Sequence, residues 1–249
     1  MKLTAIIPTG NEEHNIKDVI ASVQFADEIM VVDSFSTDNT LNIAKQYTDF
    51  VVRREYINSA SQKNWAIPQA NNEWILLVDA DERVSENLKN EILNTLKNNP
   101  EEVAFWIGRS NDFMGKRIKY SGWQGDKVIR LFRKSKCTYE NKEVHAEIIA
   151  NGKVGKLKHK LIHNTYVSLD HYIDKLNRYA WWQAKDLQKK GIKITPYHLL
   201  IKPIYRFVKH YIIGKGFLDG IPGFAIAVLE AYAVGSRYLK LWLLNRNLE

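Results

Sequence analysis

The chain has 249 residues, of which 45% are hydrophobic and 26% are charged, and its formal net charge is +8. This composition is that of an ordinary globular protein, so it excludes a disordered chain, a collagen-like repeat and a coiled coil. The length is sufficient for one large domain with its own core, or for one domain with an appendage.

The charge is distributed unevenly along the chain. Residues 1–100 carry 9 Lys and Arg against 15 Asp and Glu, whereas residues 101–249 carry 27 against 13. The second segment also holds 21 of the 28 aromatic residues. We therefore expect the basic, aromatic segment to face an anionic partner such as nucleic acid, phospholipid or a phosphorylated substrate.

The sequence shows no signal for secretion or for a membrane span. Cys137 is the only cysteine, so an internal disulfide and a cysteine zinc cluster are both excluded, which fits a reducing compartment. The first apolar run ends at Glu12 and is too short for a signal peptide. The longest nearly apolar stretch, residues 221–235, contains Glu230 and is shorter than the roughly 20 residues of a span. We therefore expect a cytoplasmic protein.

The first hundred residues alternate between short apolar runs and segments with helical spacing. Strands are predicted at residues 3–8, 28–32, 50–53 and 74–78. Helices are predicted at residues 15–23, 37–46, 61–69 and 86–97, with Ser36 or Thr37 placed to cap the second. Repeated strand–helix units with continuously apolar strands are typical of a parallel sheet covered on both faces.

The remainder of the chain changes character twice. Residues 103–163 show short runs broken by Gly, Asn and Lys, which predicts antiparallel strands attached to the sheet. These strands are expected at residues 104–107, 118–120, 128–132 and 148–149. From residue 168 the pattern is helical, with one helix over residues 170–190 closed by Gly191. A further helical pattern covers residues 197–213, where Pro203 should kink or begin the helix.

Polar and ionisable side chains follow every predicted strand of the first hundred residues. Ligands of open α/β sheets bind at the carboxyl ends of the strands, so these side chains define a candidate site. The clearest signal is the pair Asp79 and Asp81, because two carboxylates just past a buried strand can hold a divalent cation and a ribose or water. A solvated turn is the usual interpretation of an isolated Asp-x-Asp, but the buried strand before this one favours the binding site.

Three motifs, in this order, resemble the nucleotide-sugar half of family 2 glycosyltransferases with the GT-A fold. They are Pro8-Thr9-x-Asn11-Glu12, Val31-Val32-Asp33-Ser34-x-Ser36-Thr37-Asp38-x-Thr40 and Asp79-Ala80-Asp81-Glu82. Later motifs are similar to the branch with the lipopolysaccharide-core β-1,4-glucosyltransferases. These are Gly122-Trp123-x-x-Asp126-x-Val128-x-Arg130-Leu131-Phe132, Val144-His145, Gly152-Lys153-Val154-Gly155, Lys175-Leu176-Asn177-Arg178-Tyr179 and Gly216-Phe217-Leu218-Asp219-Gly220.

The resemblance covers essentially the whole chain and implies a fold and a division of labour. The fold would be α/β and Rossmann-like, a mostly parallel sheet flanked by helices with a C-terminal helical extension. Residues 1–166 would form the GT-A catalytic domain, with the nucleotide-sugar half over 1–100 and the acceptor half over 101–166. Residues 167–249 would form a helical, membrane-associating region.

The resemblance also implies a reaction and a donor site. The reaction would be an inverting, metal-dependent transfer of a hexose, glucose in first place, from a UDP-sugar to a lipopolysaccharide-core or related surface glycan. The uridine pocket would contain Pro8, Thr9 and Glu12, and the base would bind Asp33. The remaining donor contacts would be Lys63 near the diphosphate or base, Asp79 on the ribose, Ala80 between the carboxylates, and Asp81 on the Mn²⁺ or Mg²⁺ that bridges the phosphates.

The acceptor half needs a base to deprotonate the attacking hydroxyl. Asp126 is the first candidate, because it precedes the strand at residues 128–132 in the matching motif, and a structural salt bridge with Arg130 is an equal alternative. Trp123 and Arg130 would contact the acceptor. The branch usually has Glu directly after Val-His, whereas here Ala146 separates His145 from Glu147. Glu147 either acts from a shifted position or the role is lost, and His145 is the third catalytic candidate.

The basic segment has several other interpretations. Nucleic-acid binding lacks a recognisable module, so no nucleic acid is expected as a partner. For His159 and His163, which lie in a segment of predicted strands and loops, a structural or acceptor-contact role is expected in preference to zinc binding. An anionic glycan surface would use Arg109, Lys116, Arg117, Lys119 and Arg130, and a membrane patch would use residues 197–215 on the inner face of the cytoplasmic membrane. A non-catalytic scaffold of glycan assembly and a nucleotidyltransferase are the alternative functions.

Overall fold

The computed structural model describes residues 1–142, 146–166 and 168–248. By its contacts the chain forms two units, the first comprising Met1–Ser110 and Asp126–His163, and the second comprising Asn111–Gly125 and Asn164–Glu249. The short segment Asn111–Gly125 therefore groups with the C-terminal helices. The predicted division after residue 166 stays a prediction about function.

The first unit is built on a sheet whose first four strands are parallel. They are β1 (Leu3–Thr9), β2 (Glu28–Asp33), β3 (Val51–Arg53) and β4 (Trp74–Leu77), in the order β3-β2-β1-β4. The strands β1 and β2 are in register from Thr4 opposite Glu28 to Thr9 opposite Asp33. Each of these strands lies within one residue of its predicted bounds, because a continuous apolar run marks a strand buried on both faces.

Antiparallel strands extend this sheet beyond β4. The first unit adds β5 (Glu82–Arg83), β8 (Lys127–Arg133) and parts of β6 (Ala104–Phe113) and β11 (Val154–Tyr166), in the order β4-β8-β6-β11-β5. The strands β9 (Cys137–Tyr139) and β10 (Ile148–Ala150) form a separate ribbon. The antiparallel attachment predicted from residues 103–163 is confirmed, while β5, β9 and most of β11 were not foreseen.

One predicted strand is wrong. The segment at residues 118–120 is not a strand, and the short β7 (Lys116–Arg117) ends before it. The backbone N–H groups of Lys119 and Tyr120 donate instead to the carboxylate of Asp219. A side chain from a distant part of the chain thus satisfies donors that a strand would otherwise pair.

Helices cover both faces of the parallel strands. They are α1 (Ile16–Ser22), α2 (Thr40–Ala44), α3 (Ser59–Ala66) with a 3₁₀ turn at Ile67–Gln69, and α4 (Glu86–Lys97). Ala5 and Ile7 of β1 belong to the hydrophobic cluster that contains α1 and α4, and Ile6 belongs to the cluster that contains α3. This alternation is the two-residue period of a strand, and it places a core on each side of the sheet.

The predicted cap of the second helix is also wrong. The helix α2 begins at Thr40, three residues later than the spacing suggests. Ser36 and Thr37 are held by the loop after β1, since Ser36 Oγ accepts from Asn11 N at 2.9 Å and Thr37 N donates to Asn11 Oδ1 at 2.8 Å. The Asp38 carboxylate accepts from Thr40 N at 3.0 Å. The two loops that follow β1 and β2 are thereby tied together.

The second unit is mainly helical. It contains α5 (Leu169–Lys189), α6 (Lys202–Val208) and α7 (Ile221–Leu244), with π-helical turns at Tyr197–Ile201 and Lys209–Ile213 on either side of α6 and a 3₁₀ turn at Gly216–Asp219. Gly191 has a φ of +66°, as expected for a residue that ends a helix. Pro203 lies in the first turn of α6, directly after the π-helical turn Tyr197–Ile201.

No helix within the described parts of the chain combines the length and the apolar character that crossing a bilayer demands.

Candidate active site

The carboxyl ends of the parallel strands carry the predicted nucleotide-sugar residues. Thr9 and Asp33 are paired in register at the ends of β1 and β2, and Ser34 N donates to Thr9 O at 2.9 Å. Pro8 is half-buried and Thr9 is buried. Thr9 Oγ1 has no hydrogen-bond partner among the residues that the structure describes. This edge therefore holds a buried hydroxyl that the described residues leave without a hydrogen-bond partner.

The Asp33 carboxylate is fully buried and held in place. Both of its oxygens lie 3.2 Å from Ser36 N, and Arg53 Nε lies 3.2 Å from Oδ2. The guanidinium of Arg53 in turn stacks over the ring of Phe35 at 4.5 Å. Phe35 has a φ of +58°, a conformation that costs a non-glycine residue free energy. The loop after β2 thus orients a carboxylate and an arginine together, and the base-binding role of Asp33 stays a prediction.

Glu12 is positioned by the loops that follow β1 and β2. Its backbone N donates to Thr40 Oγ1 at 2.7 Å, and its carboxylate accepts from Asn15 Nδ2 at 2.8 Å. The helix α1 begins four residues later at Ile16. Hydrogen bonds therefore fix the backbone of Glu12, whose contact with uridine stays a prediction.

The carboxylate of Asp79, directly after Val78, is gripped by two cations. Lys63 Nζ lies 3.0 Å from Asp79 Oδ1, and Arg130 donates to Oδ2. Burial alone would raise the pKa of Asp79, but Arg130 and Lys63 hold it well below the usual range. Burial would lower the pKa of Lys63, and Asp79 raises it. Asp79 is therefore an ionised carboxylate near neutral pH, held in place by two cations.

Glu82 is the residue that sequence reasoning missed. It is fully buried, and its carboxylate accepts from Asp79 N at 3.1 Å and from Arg130 at 2.9 Å. Arg109 lies 3.6 Å from the same carboxylate. The sequence placed Glu82 after the fourth strand without giving it a role. The signal for one was its position in a tight turn behind a buried strand, where a charge must be paired.

Arg109 and Asp126 complete a run of alternating charges. Arg109 donates to both carboxylate oxygens of Asp126, at 3.0 and 2.8 Å. Asp126 thus pairs with Arg109, and the predicted salt bridge between Asp126 and Arg130 is wrong. The reason lies in the backbone, because Arg109 N donates to Asp126 O at 2.9 Å and brings the two side chains together.

The six charges that form this run will be called the charge network. Its members alternate in sign along the series Lys63, Asp79, Arg130, Glu82, Arg109 and Asp126. Three cations and three carboxylates cancel, so the charge network adds no net positive charge to the site.

Arg130 is buried within the charge network. Burial would lower the pKa of Arg130, whereas Asp79 and Glu82 raise it well above its ordinary value. Its guanidinium binds these two carboxylates, and these contacts favour a structural role over contact with an acceptor at the surface. The predicted acceptor contact of Arg130 stays a prediction, and its geometry indicates a residue that orients Asp79.

Asp81 lies beside a histidine rather than in the charge network. His163 Nε2 is 3.3 Å from Asp81 Oδ2, and both side chains keep some exposure. His163 reaches this place because β11 pairs with β5, with His163 opposite Glu82. No group of three or more His, Cys, Asp or Glu that could hold a metal is found in residues 1–142, 146–166 and 168–248. A carboxylate and an imidazole are nevertheless together at the sheet edge.

The other predicted site residues lie elsewhere. Ala80 is buried and its carbonyl accepts from Arg83 at 2.6 Å. Trp123 belongs to the second unit, where its ring meets that of Phe113 edge-on at 6.0 Å. Glu147 is exposed directly before β10, and its N donates to the carboxylate of Glu140. His145 lies outside the described residues.

The basic residues predicted to form a glycan surface are divided between the two units. Arg109 belongs to the charge network of the first unit. In the second unit Arg117 pairs with Asp112, and Lys116 Nζ donates to the carbonyl of Asp219 at 2.9 Å. The predicted surface stays a prediction.

The fold defines a class of protein. A mostly parallel sheet with helices on both faces, continued by antiparallel strands, is the architecture of glycosyltransferases with the GT-A fold. A mannosyltransferase of Pyrobaculum calidifontis, solved in complex with GDP-Man and Mn²⁺, superposes with a TM-score of 0.57 at 16% identity, covering 97% of this chain and 87% of that one. Glucosyl-3-phosphoglycerate synthase of Mycobacterium tuberculosis, solved with Mn²⁺, UDP and phosphoglyceric acid, gives 0.52 at 15% identity, covering 78% and 80%. The predicted α/β, GT-A fold is confirmed.

Sequence comparisons narrow the class to a family. The model of glycosyl transferase family 2 matches residues 4–148. An uncharacterized glycosyltransferase of Rickettsia typhi is 31% identical over 252 residues, covering 96% of this chain and 85% of the relative. The chain therefore belongs to glycosyl transferase family 2. The lipopolysaccharide core biosynthesis glycosyltransferase LpsC of Rhizobium meliloti is 28% identical, covering 96% and 93%, so the resemblance to lipopolysaccharide-core glycosyltransferases is confirmed.

Proposed function

We propose that this glycosyltransferase transfers a hexose, glucose in first place, from a UDP-sugar to a lipopolysaccharide-core or related surface-glycan acceptor, with inversion and with the help of a divalent cation. The observation that carries the proposal is the pair Asp81 and His163 at 3.3 Å, next to the ionised Asp79, at the carboxyl ends of the parallel strands. The similarity to LpsC supports the acceptor class.

The side chains of Asp81 and His163 at this edge are suitable ligands for a divalent cation. A carboxylate oxygen and an imidazole nitrogen are ligands that Mn²⁺ accepts, and such ions usually take few protein ligands and share the rest with substrate phosphates. Asp81 and His163 would hold the ion, and Mg²⁺ would depend more on Asp81. When bound, the cation would neutralise the diphosphate leaving group. Both fold relatives described above were solved with Mn²⁺, which supports this assignment.

The charge network supports the proposed requirement for a cation. A sugar diphosphate brings several negative charges, yet Lys63, Arg130 and Arg109 are already neutralised by their carboxylate partners. The protein therefore offers little free positive charge in this network to the leaving group. A cation at Asp81 supplies it without breaking buried ion pairs, which would be costly.

The nucleoside is proposed to lie against the ends of β1 and β2. Thr9 offers a buried hydroxyl, Asp33 a carboxylate for an N–H of the base, and Pro8 and Glu12 the wall of the pocket. Asp79, ionised by its two cations, would accept from the ribose hydroxyls, and Lys63 would remain within reach of the diphosphate.

Asp126 is proposed as the base that takes the proton of the attacking hydroxyl. Its side chain is 25% exposed, and Arg109 fixes its plane through two hydrogen bonds. A base that is oriented and still reached by solvent can also be reached by an acceptor hydroxyl. Glu147, which is exposed, is the alternative base.

The first test is the binding of UDP in the presence of Mn²⁺, measured by isothermal titration calorimetry. We expect wild-type protein to bind and Asp81→Ala to lose the gain in affinity that Mn²⁺ provides, a loss of about tenfold or more. Asp49→Ala is the control, because Asp49 is exposed and precedes β3 at the opposite edge of the sheet. Wild type that does not bind UDP would contradict the proposed donor, and unchanged binding by Asp81→Ala would contradict the metal role. Thermal shift and hydrolysis with a panel of UDP-, GDP- and ADP-sugars then identify the sugar.

The second unit is proposed to bind the inner face of the cytoplasmic membrane peripherally. Large apolar side chains are exposed along the helical turns around α6 and at the start of α7, with 65% of Ile213 and 84% of Ile221 accessible. Lys209 and Lys215 are exposed on the same stretch. Exposed apolar groups flanked by lysines match an anionic lipid surface, where a lipid-linked acceptor would also lie.

Liposome flotation tests this surface. Wild type should float with vesicles that contain anionic lipid, less so at high salt and less with purely zwitterionic vesicles. The double change Ile213→Asp and Ile221→Asp should abolish flotation, since it places charges where apolar groups would enter the lipid. Leu93→Asp on α4, another exposed apolar position, is the control. The absence of wild-type flotation at low salt would contradict the proposal.

A further inference from the structure

A buried carboxylate of the second unit stands apart from the site described above. Asp219 ends the 3₁₀ turn Gly216–Asp219 and is buried. Its carboxylate accepts from Lys119 N at 3.1 Å, from Tyr120 N at 3.0 Å and from Ser121 Oγ at 2.8 Å. The donors lie about a hundred residues earlier in the sequence, so a side chain near the C-terminal helices organises a segment of the middle of the chain.

The segment that Asp219 binds will be called the acceptor turn, residues 119–124. Its backbone is unusual, because Ser121 and Gly122 have φ values of +61° and +80° in succession. A left-handed serine costs free energy and persists only where its surroundings hold it. The acceptor turn contains Gly122 and Trp123, the first two residues of the sequence motif that continues to the candidate base, Asp126.

Residues 210–219 hold the acceptor turn from one side. Ser121 N donates to Gly214 O at 2.8 Å, Gln124 Nε2 donates to the same carbonyl at 2.9 Å, and His210 Nδ1 lies 2.7 Å from Ser121 O. Together with the three bonds to Asp219, these contacts leave the acceptor turn little freedom. Its left-handed residues are therefore imposed by the C-terminal region.

Glycines make the approach of Asp219 geometrically feasible. Gly220, directly after Asp219, has a φ of +69°, a conformation that glycine adopts without strain. A Cβ atom at Gly223 would lie 2.0 Å from Gly216 O and 2.9 Å from the Cβ atom of Asp219. Glycine at position 223 therefore allows α7 to pack closely against the turn that ends at Asp219.

We propose that Asp219 is a positioning residue for acceptor recognition, because it fixes the acceptor turn and with it the presentation of Trp123. The inference rests on the proposed function and on the prediction from the sequence that Trp123 contacts the acceptor. A carboxylate is suited to this task because it only accepts hydrogen bonds and meets three donors, two N–H groups and one hydroxyl. An asparagine would turn a donor NH₂ toward at least one of them.

The experiment compares Asp219→Asn and Asp219→Ala with Asp186→Asn, a control at an exposed carboxylate of α5 in the same unit. Three quantities are measured on the full chain: the dissociation constant of UDP with Mn²⁺, kcat and KM for transfer to the glycolipid fraction of membranes from cells that lack this protein, and hydrogen exchange of peptides that cover the acceptor turn. We expect Asp219→Asn to lower kcat/KM for the acceptor by about 10- to 100-fold, mostly through KM, with UDP affinity unchanged. Exchange at the acceptor turn should quicken while that of β1 and β4 stays as in wild type.

These measurements distinguish a failure of the proposed function from a failure of the positioning role of Asp219. Wild type that transfers no sugar to the glycolipid fraction contradicts the proposed function, whatever the variants do. Active wild type with unchanged acceptor KM in Asp219→Asn overturns the positioning role alone, as does unchanged exchange at the acceptor turn. Should Asp219→Ala fail to fold, the isosteric Asp219→Asn still decides between these results.

Discussion

Replacement of Asp126 by Asn is expected to lower kcat by about 10²- to 10⁴-fold while the affinity for UDP and Mn²⁺ stays at the wild-type value. The amide has the shape of the carboxylate but takes up no proton. Arg109 keeps an acceptor in the amide oxygen and a countercharge in Glu82, which lies 3.6 Å away. The substitution therefore removes the base without dismantling the charge network.

Asp112 offers a matched control for this experiment. Asp112 and Arg117 form a two-pronged ion pair like that of Asp126 and Arg109, and the side chain of Asp112 is 24% exposed against 25% for Asp126. Asp112→Asn should leave kcat within about twofold of wild type, as is usual for a surface ion pair. Retained turnover in Asp126→Asn would exclude Asp126 as the base, and Glu147→Gln would then be the next variant to measure.

Replacement of Arg130 by Met is expected to lower the free energy of unfolding by about 3–5 kcal/mol, the usual cost of removing one partner from buried charges. Arg130 neutralises Asp79 and the fully buried Glu82, and Met fills a similar volume but leaves both carboxylates short of a cation. Urea unfolding followed by circular dichroism measures the loss. Lys127→Met is the control, because it removes the same charge from an exposed position of the same strand, with an expected cost under about 1 kcal/mol.

The loss of stability caused by Arg130→Met should depend on pH. Arg130 and Lys63 hold the pKa of Asp79 below its ordinary value, so Asp79 contributes stability above the unfolded pKa of 3.8 that is lost as the pH falls through the folded pKa. The gap between wild type and Arg130→Met should therefore shrink as the pH drops below about 4. A gap that is small at neutral pH, or equal to that of Lys127→Met, would contradict the view of Arg130 as the neutralising centre of the charge network.

Much of the donor half could be predicted from local pattern alone. The strands β1, β2 and β4 are short apolar runs, and a run of that kind marks a strand buried on both faces wherever it occurs. Because such strands are parallel, the residues that follow them meet at one edge, which is why Thr9 and Asp33 were correctly expected together. The cap of α2 was misplaced, since Ser36 and Thr37 have local capping chemistry but are bound by Asn11 from another loop.

The sequence by itself determined the α/β class, the glycosyltransferase family and the edge at which the carboxylates gather, because strand periodicity and the order of motifs are properties of neighbouring residues. Only the tertiary structure decided which charge meets which. His163 of β11 lies beside Asp81, and Asp219 binds the acceptor turn. Asp126 pairs with Arg109 and not with Arg130, which is nearer in the sequence. These pairs depend on strand order and chain return over many residues, and buried charges accept whichever opposite group the fold brings within reach.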